Sequence, residues 1–257
     1  MNDSLLGLAL PDDRLSEHLA VGLAQVEDGL RKAVASDDPF MADASRYLVE
    51  AGGKRFRPLL VLLAAQFGDP DAWGVVPSGV VVELTHLATL YHDDVMDEAT
   101  MRRGAESANH RWDNTVAILT GDFLFARSSG ILADLGPEAV RIQAHTFERL
   151  CTGQIRETIG PRDGQDPVAH HLEVVADKTA SLIAASGRYG ALMAGAAPEH
   201  VEARFLPEGF KPVSNGTAGP AFRFLGTPYT LPIELSPIDP EARRVVLGGF
   251  RLGGQMA

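Results

Sequence analysis

Apolar side chains at Leu15, Leu19, Leu23, Val26 and Leu30 recur every three or four positions, the spacing of one helical face, and Asp12 and Asp13 stand where a helix would be capped. The same reasoning predicts a short helix from Pro39 to Glu50, broken by Gly52 and Gly53, and a third with Pro58 in its first turn that ends near Gly68. A long helix is predicted from about Ser78 to Glu98, then helical stretches over Asn109 to Leu135, Pro137 to Ile159 and Pro167 to Ala194. Strand-like alternation and internal repeats are both absent. Amphipathic helices joined by short Gly and Pro punctuation define an all-α bundle. From Arg204 onward the periodicity ends, and 7 of the 16 prolines fall in the last 54 residues, where they would interrupt any helix.

Charge divides the chain at the same place. Residues 1–203 carry 17 basic and 30 acidic side chains, whereas residues 204–257 carry 6 and 4, so the tail is slightly cationic within a chain of net charge -11. We therefore expect a helical domain over 1–203 and an irregular, Gly/Pro-rich tail over 204–257 that can be removed without loss of binding. The overall negative charge argues against nonspecific contact with nucleic acid or anionic membrane, which needs an excess of Lys and Arg. Uninterrupted apolar runs such as Leu59 to Ala65 fall short of the roughly 18 residues expected of a membrane span. Acids rather than basic residues near Met1 speak against a secretory leader, and the single cysteine, Cys151, cannot form an internal disulfide. Together these features lead us to expect a cytoplasmic chain.

Candidate chemistry lies in the predicted long helix, within the segment from Glu83 to Asp97 that reads ELTHLATLYHDDVMD. Taking Asp93 as zero at about 100° per residue, Asp97 falls near 40°, His86 near 20°, Thr89 near -40° and Asp94 near 100°. One stripe thus carries His86, Asp93 and Asp97 among Leu84, Leu87, Leu90, Val95 and Met96, a setting that favours a cleft over a solvated face. Carboxylates four apart repel, and a hard divalent cation such as magnesium, which takes one or two carboxylates and completes its shell with water and phosphate, would offset that repulsion. Cations flank the stripe on both sides. Lys54, Arg55 and Arg57 precede a helix start, where free backbone N–H groups also attract anions, and Arg102 and Arg103 follow the aspartates. Phosphorylated substrates bridged by metal are the chemistry this pattern suits.

In these residues the chain resembles the trans-polyprenyl diphosphate synthases, the head-to-tail prenyltransferases. The resemblance runs from about Ser16 to Ala203 on GGKRFRP at Gly52, ELTHLATLYHDDVMDEA at Glu83 followed by RRG at Arg102, GDFLFARSS at Gly121 and DKTASLIAAS at Asp177. It implies an isoprenoid-synthase-type helix bundle, a homodimer, and Mg2+ as cofactor. By the same resemblance, Lys54, Arg57, His86 and Arg103 bind isopentenyl diphosphate. Asp93 and Asp97 hold magnesium for an allylic diphosphate that Arg102, Lys178 and Thr179 also grip, and Asp93, Asp94, Asp97, Arg102 and Lys178 form the catalytic set. Gln154 and Glu157 are candidates for supporting contacts. In this family the residues four and five before the first aspartate, here Thr89 and Ala88, floor the tunnel into which product grows. Small side chains there imply products longer than twenty carbons.

The chain departs from the family pattern at one point: the second aspartate-rich motif has no counterpart, because residues 204–257 hold a single aspartate, Asp239, followed by Pro240. The carboxyl-terminal helices of the bundle are thus expected to be missing or replaced, and turnover to be weak or absent. The abrupt change of composition would also fit a shifted reading frame in a GC-rich gene. Two other readings stay open. One is a noncatalytic remnant or regulatory partner that dimerises with a complete synthase. The other is a terpene cyclase, against which GGKRFRP and RRG count, because a cyclase has no need of an isopentenyl site.

Overall fold

The computed structural model describes residues 13–201 in full, and beyond them the backbone of three strand segments, 207–212, 218–224 and 227–230. Leu10–Val201 form one compact unit, and the strands belong to a second. In the first unit ten helices follow one another: α1 (Asp13–Ala33), α2 (Pro39–Glu50), α3 (Phe56–Ala65), α4 (Val75–Met96), α5 (Ala108–Arg111), α6 (Asn114–Leu135), α7 (Pro137–Ile159), α8 (Pro167–Val175), α9 (Ser181–Met193) and α10 (Pro198–Val201). The bundle expected from periodicity is thus present. Asp12 lies outside the described residues.

The organising element is α4, which packs against α1, α3, α6 and α9. Its buried residues, among them Val80, Leu84, Leu87, Ala88 and Tyr91, lie on nearly all sides, as a central helix requires, and join Val26, Leu30, Leu48, Ala117 and Leu124 in one apolar cluster. Buried tyrosines tie helices together through backbone carbonyls. The Tyr91 hydroxyl donates to the Ala44 carbonyl of α2 at 2.5 Å, and that of Tyr189 donates to the Ala139 carbonyl of α7 at 2.8 Å. Close packing of α3 on α9 depends on Gly190, where an added Cβ would stand 2.0 Å from the Val61 carbonyl oxygen. By length and composition α6 could cross a membrane, but it packs along α4 instead and carries Asp122, Arg127 and Asp134.

Two predicted helical stretches are interrupted in the structure, and a hairpin stands ahead of the first. The stretch from Asn109 to Leu135 is two helices, because Asp113 is extended and its side chain accepts from the Val116 N–H at 2.8 Å, capping α6 afresh. Between Arg102 and Ala105 the chain makes a hairpin, β1 (Met101–Arg102) and β2 (Ala105–Glu106), whose central residues Arg103 (φ 54°) and Gly104 (φ 78°) both take the left-handed conformation that a tight primed turn requires. The stretch from Pro167 to Ala194 is interrupted by a π-helical turn, Ala176–Ala180. Helix α3 begins at Phe56, so Pro58 lies in its first turn as expected, behind Arg55, whose backbone is also left-handed (φ 47°).

In the tail, expected to be irregular, the described segments form three antiparallel strands instead: β3 (Pro207–Pro212), β4 (Ala218–Phe224) and β5 (Thr227–Thr230), in the order β3-β4-β5. Proline blocks a helix but is tolerated where no ladder hydrogen bond is needed. On the central strand Pro220 stands opposite Phe210 of β3, while β5 pairs only from Ala221 onward. Asp239 lies outside the described residues.

Candidate active site

The carboxyl-terminal end of α4 presents its three aspartates in three different ways. Asp97 is the exposed residue that closes the helix, with its N–H on the Asp93 carbonyl. Asp93 is half-buried, and burial pushes its carboxyl above the ordinary range; Lys178 pulls it down, Asp97 pushes it up, and Arg102 pulls it down again. Asp94 is fully buried, and its Oδ1 accepts from Arg102 Nε at 2.6 Å, with Arg102 Nη2 at 2.5 Å. Its Oδ2 is buried and has no hydrogen-bond partner. Asp94, expected in the catalytic set, therefore holds Arg102 from inside, while Asp93 and Asp97 form the outer pair.

That outer pair is the donor set a hard divalent cation prefers: two oxygen donors one helical turn apart, with Asp97 disfavouring the charge on Asp93. Among the described residues no three His, Cys, Asp or Glu side chains gather into a metal-holding group. An ion at Asp93 and Asp97 would thus take its remaining ligands from water and phosphate, the usual habit of magnesium.

Two turns back along α4, His86 sits in an arginine-rich pocket. Burial holds its imidazole well below the ordinary histidine range, and the charges of Arg57, Arg103, Arg102 and Arg55 press it further down, so it is neutral at pH 7. Arg57 reaches the same place from α3, and its buried Nε has no hydrogen-bond partner. Arg103 comes from the hairpin turn and donates Nη1 to the Leu48 carbonyl at 3.1 Å and to the Gly52 carbonyl. Lys54 is exposed on the adjoining loop. Crowded guanidiniums beside a neutral imidazole make a preformed receptor for a multiply charged anion.

The third component is the π-helical turn. A π turn widens the helix by one residue and is frequent at functional sites. Here it sets Asp177 against α7, where it accepts from Arg149 Nε at 2.9 Å and Arg156 Nη1 at 2.6 Å, and sets Lys178 Nζ 2.5 Å from Glu157 Oε2. Gly153 of α7 lets the turn come this close, since a Cβ there would lie 2.5 Å from the Lys178 amide nitrogen. Lys178 is the strongest cationic influence on Asp93, so the π turn brings a positive charge toward the carboxylate pair. Thr179 follows, partly buried, in the same turn, and the Gln154 Oε1 of α7 is buried without a partner.

The residues named from sequence thus fall into two groups: Lys54, Arg57, His86 and Arg103 in one, Asp93, Asp97, Arg102, Lys178 and Thr179 in the other. The two proposed chain-length positions part company. Thr89 is partly buried on the Asp93 side and donates to the His86 carbonyl at 2.8 Å, whereas Ala88 is fully buried in the apolar cluster with Leu124. Sequence reasoning missed Glu27, Glu83 and the role of Arg55, which pair inside the protein. The available signal was an acid amid the apolar residues of α4, three positions before His86.

Comparison with known proteins establishes the family of the chain. The family model described as Polyprenyl synthetase matches residues 38–206, and the chain belongs to that family. It is 51% identical over 197 residues to a nonaprenyl diphosphate synthase of Mycobacterium tuberculosis, covering 76% of this chain and 59% of that protein. With component 2 of the heptaprenyl diphosphate synthase of Geobacillus stearothermophilus it shares 43% over 187 residues, covering 72% and 58%. Among solved structures it resembles the geranylgeranyl pyrophosphate synthase of Corynebacterium glutamicum complexed with calcium and isoprenyl diphosphate, with TM-score 0.69 and 49% identity over 76% of this chain and 60% of that one. The chain spans about three-fifths of the length of the curated relatives it matches.

Proposed function

We propose that the chain binds isopentenyl diphosphate at Lys54, Arg57, His86 and Arg103 and an allylic diphosphate at Asp93, Asp97, Arg102, Lys178 and Thr179, and joins the two head to tail. The observation that carries this reading is that one helix, α4, opens onto both sites. His86 and Asp93 lie seven residues apart, about 10 Å along the axis, with unpartnered arginine on one side and like-charged carboxylates on the other. Two diphosphates held there would bring their hydrocarbon ends together.

Magnesium held by Asp93 and Asp97 would supply charge neutralisation for the departing pyrophosphate. Arg102, set by Asp94, and Lys178 stabilise the same developing charge as the allylic C–O bond breaks and its electron pair leaves with pyrophosphate. The isopentenyl double bond, positioned by Arg57 and Arg103, attacks the allylic cation. Loss of a proton completes a product five carbons longer. An apolar, water-excluding pocket around the hydrocarbon would keep water from capturing the cation. Small residues at Thr89 and Ala88 and the resemblance to a nonaprenyl synthase support products longer than twenty carbons.

Incubation of the 257-residue chain with magnesium, labelled isopentenyl diphosphate and farnesyl diphosphate tests the proposal. Diphosphate binding with at most weak elongation, any product disappearing with chelator, is the expected result, and absence of both product and diphosphate binding would overturn it. A second reading has a specific basis, since residues 204–257 contain Asp239 as their only aspartate. On that reading the chain binds both diphosphates without turnover and acts as a partner subunit. Binding with no product would favour it.

A further inference from the structure

Arg55 stands between the two loop cations assigned to isopentenyl diphosphate, yet its own donors are already taken. It is 6% exposed and pairs with Glu27 of α1 through Nε, with Glu83 of α4 through Nη1 at 2.8 Å, and with the Val49 carbonyl of α2 through Nη2 at 2.9 Å. Glu83 is 2% exposed and lies 3.9 Å from Arg103 Nη2. Arg103 in turn donates to the Leu48 and Gly52 carbonyls, so one buried carboxylate stands at the junction of α2, the 52–55 loop and the hairpin. Both arginines carry left-handed backbone, φ 47° at Arg55 and 54° at Arg103, which a residue with a side chain keeps only where its surroundings impose it. Arg57 and Lys54 have no such anchor.

We infer that Glu83, assisted by Glu27, is a positioning residue for the isopentenyl diphosphate site proposed above. It ties down Arg55 and Arg103, fixes the loop of residues 52–55 ahead of α3, and leaves Lys54, Arg57 and His86 as the groups offered to the diphosphate. A buried carboxylate suits this task because guanidiniums crowded into a dry site repel one another unless a counter-charge lies among them. Glu27 lies on α1, outside the residues the family model matches, and makes that helix part of the site's support.

The test compares wild type with Glu83→Gln, which removes the charge at constant size, and with Glu83→Asp and Glu27→Gln. Calorimetric binding of isopentenyl diphosphate is expected to weaken at least tenfold in Glu83→Gln, with partial recovery in Glu83→Asp and a smaller loss in Glu27→Gln. Binding of a magnesium-loaded allylic diphosphate analogue is expected to stay within twofold. Amides of residues 52–55 should exchange hydrogen faster in ligand-free Glu83→Gln than in wild type. Unchanged affinity with unchanged loop exchange overturns the inference, as does equal loss of both ligands with a lowered melting temperature, which marks general loss of structure. Should wild type bind no isopentenyl diphosphate, the site assignment falls, and loop exchange alone decides whether Glu83 holds the loop. If Glu83→Gln fails to fold, Glu27→Gln carries the same comparison, and unaltered affinity and exchange there overturn the inference.

Discussion

At the scale of single residues, the site is defined by charges held away from their preferred states. The depressed imidazole of His86 has a consequence for stability. In the folded protein it stays neutral below about 6.5, the pH at which the unfolded chain takes up a proton, so the fold loses stability as pH falls below that value. His86→Gln is therefore expected to flatten this acid loss of stability, and thermal melts of wild type and variant between about pH 8 and 5 check it. Asp93 has the opposite charge and the opposite shift. Its carboxyl is raised by burial and by Asp97, so Asp93→Asn is expected to leave the metal-free protein as stable or a few tenths of a kcal/mol more so. The same variant is expected to lose magnesium-dependent binding of an allylic analogue.

At the scale of elements, the site depends on how closely helices approach. Gly153→Ala places a Cβ against the backbone of the π-helical turn, and either α7 or the turn must shift. We expect a loss of about 1 to 3 kcal/mol and weaker allylic diphosphate binding, because Lys178 moves with the turn. Gly130 on α6 is the contrasting case: an added Cβ meets nothing within 4 Å, so Gly130→Ala is expected to stabilise by up to about 1 kcal/mol with binding unchanged. Denaturant unfolding of both variants beside wild type measures the difference. Tyr91→Phe tests the seam between α2 and α4. It leaves the buried Ala44 carbonyl and Leu48 N–H without the hydroxyl, and a cost of about 1 to 3 kcal/mol is expected in the same assay.

Viewed as a whole molecule, the chain places its candidate chemistry within the unit Leu10–Val201. Every residue of the two proposed diphosphate sites, together with Glu27, Glu83 and the π-helical turn, belongs to it. A chain ending at Val201 is therefore expected to unfold cooperatively and to bind isopentenyl diphosphate with the affinity of the full chain. Circular dichroism melts and calorimetry provide the check, and a large loss of affinity would assign part of the site to residues 202–257.

The amino-acid sequence by itself determined the bundle, because a helical face repeats within a few residues and its capping signals are local. The bounds Pro39–Glu50 and Pro137–Ile159 follow from proline at the start and from glycine beyond the end. It also determined the stripe of His86, Asp93 and Asp97, since residues three, four and seven apart share a face wherever the helix goes. Tertiary structure decided which charges stay available. Arg55 and Arg57 are both loop cations in the sequence, but Arg55 is 28 residues from each of its carboxylate partners, and only packing of α1 and α4 brings them to it. Asp94 differs from Asp93 by one position, yet that step of about 100° turns it from the side of the Asp93–Asp97 pair into the interior, onto an arginine supplied by the hairpin. The second cap at Asp113 is local, three residues from Val116, and was within reach of the sequence. The π-helical turn was not: it settles a competition between a local helical preference and contacts with α7, which exist only once the helices have packed.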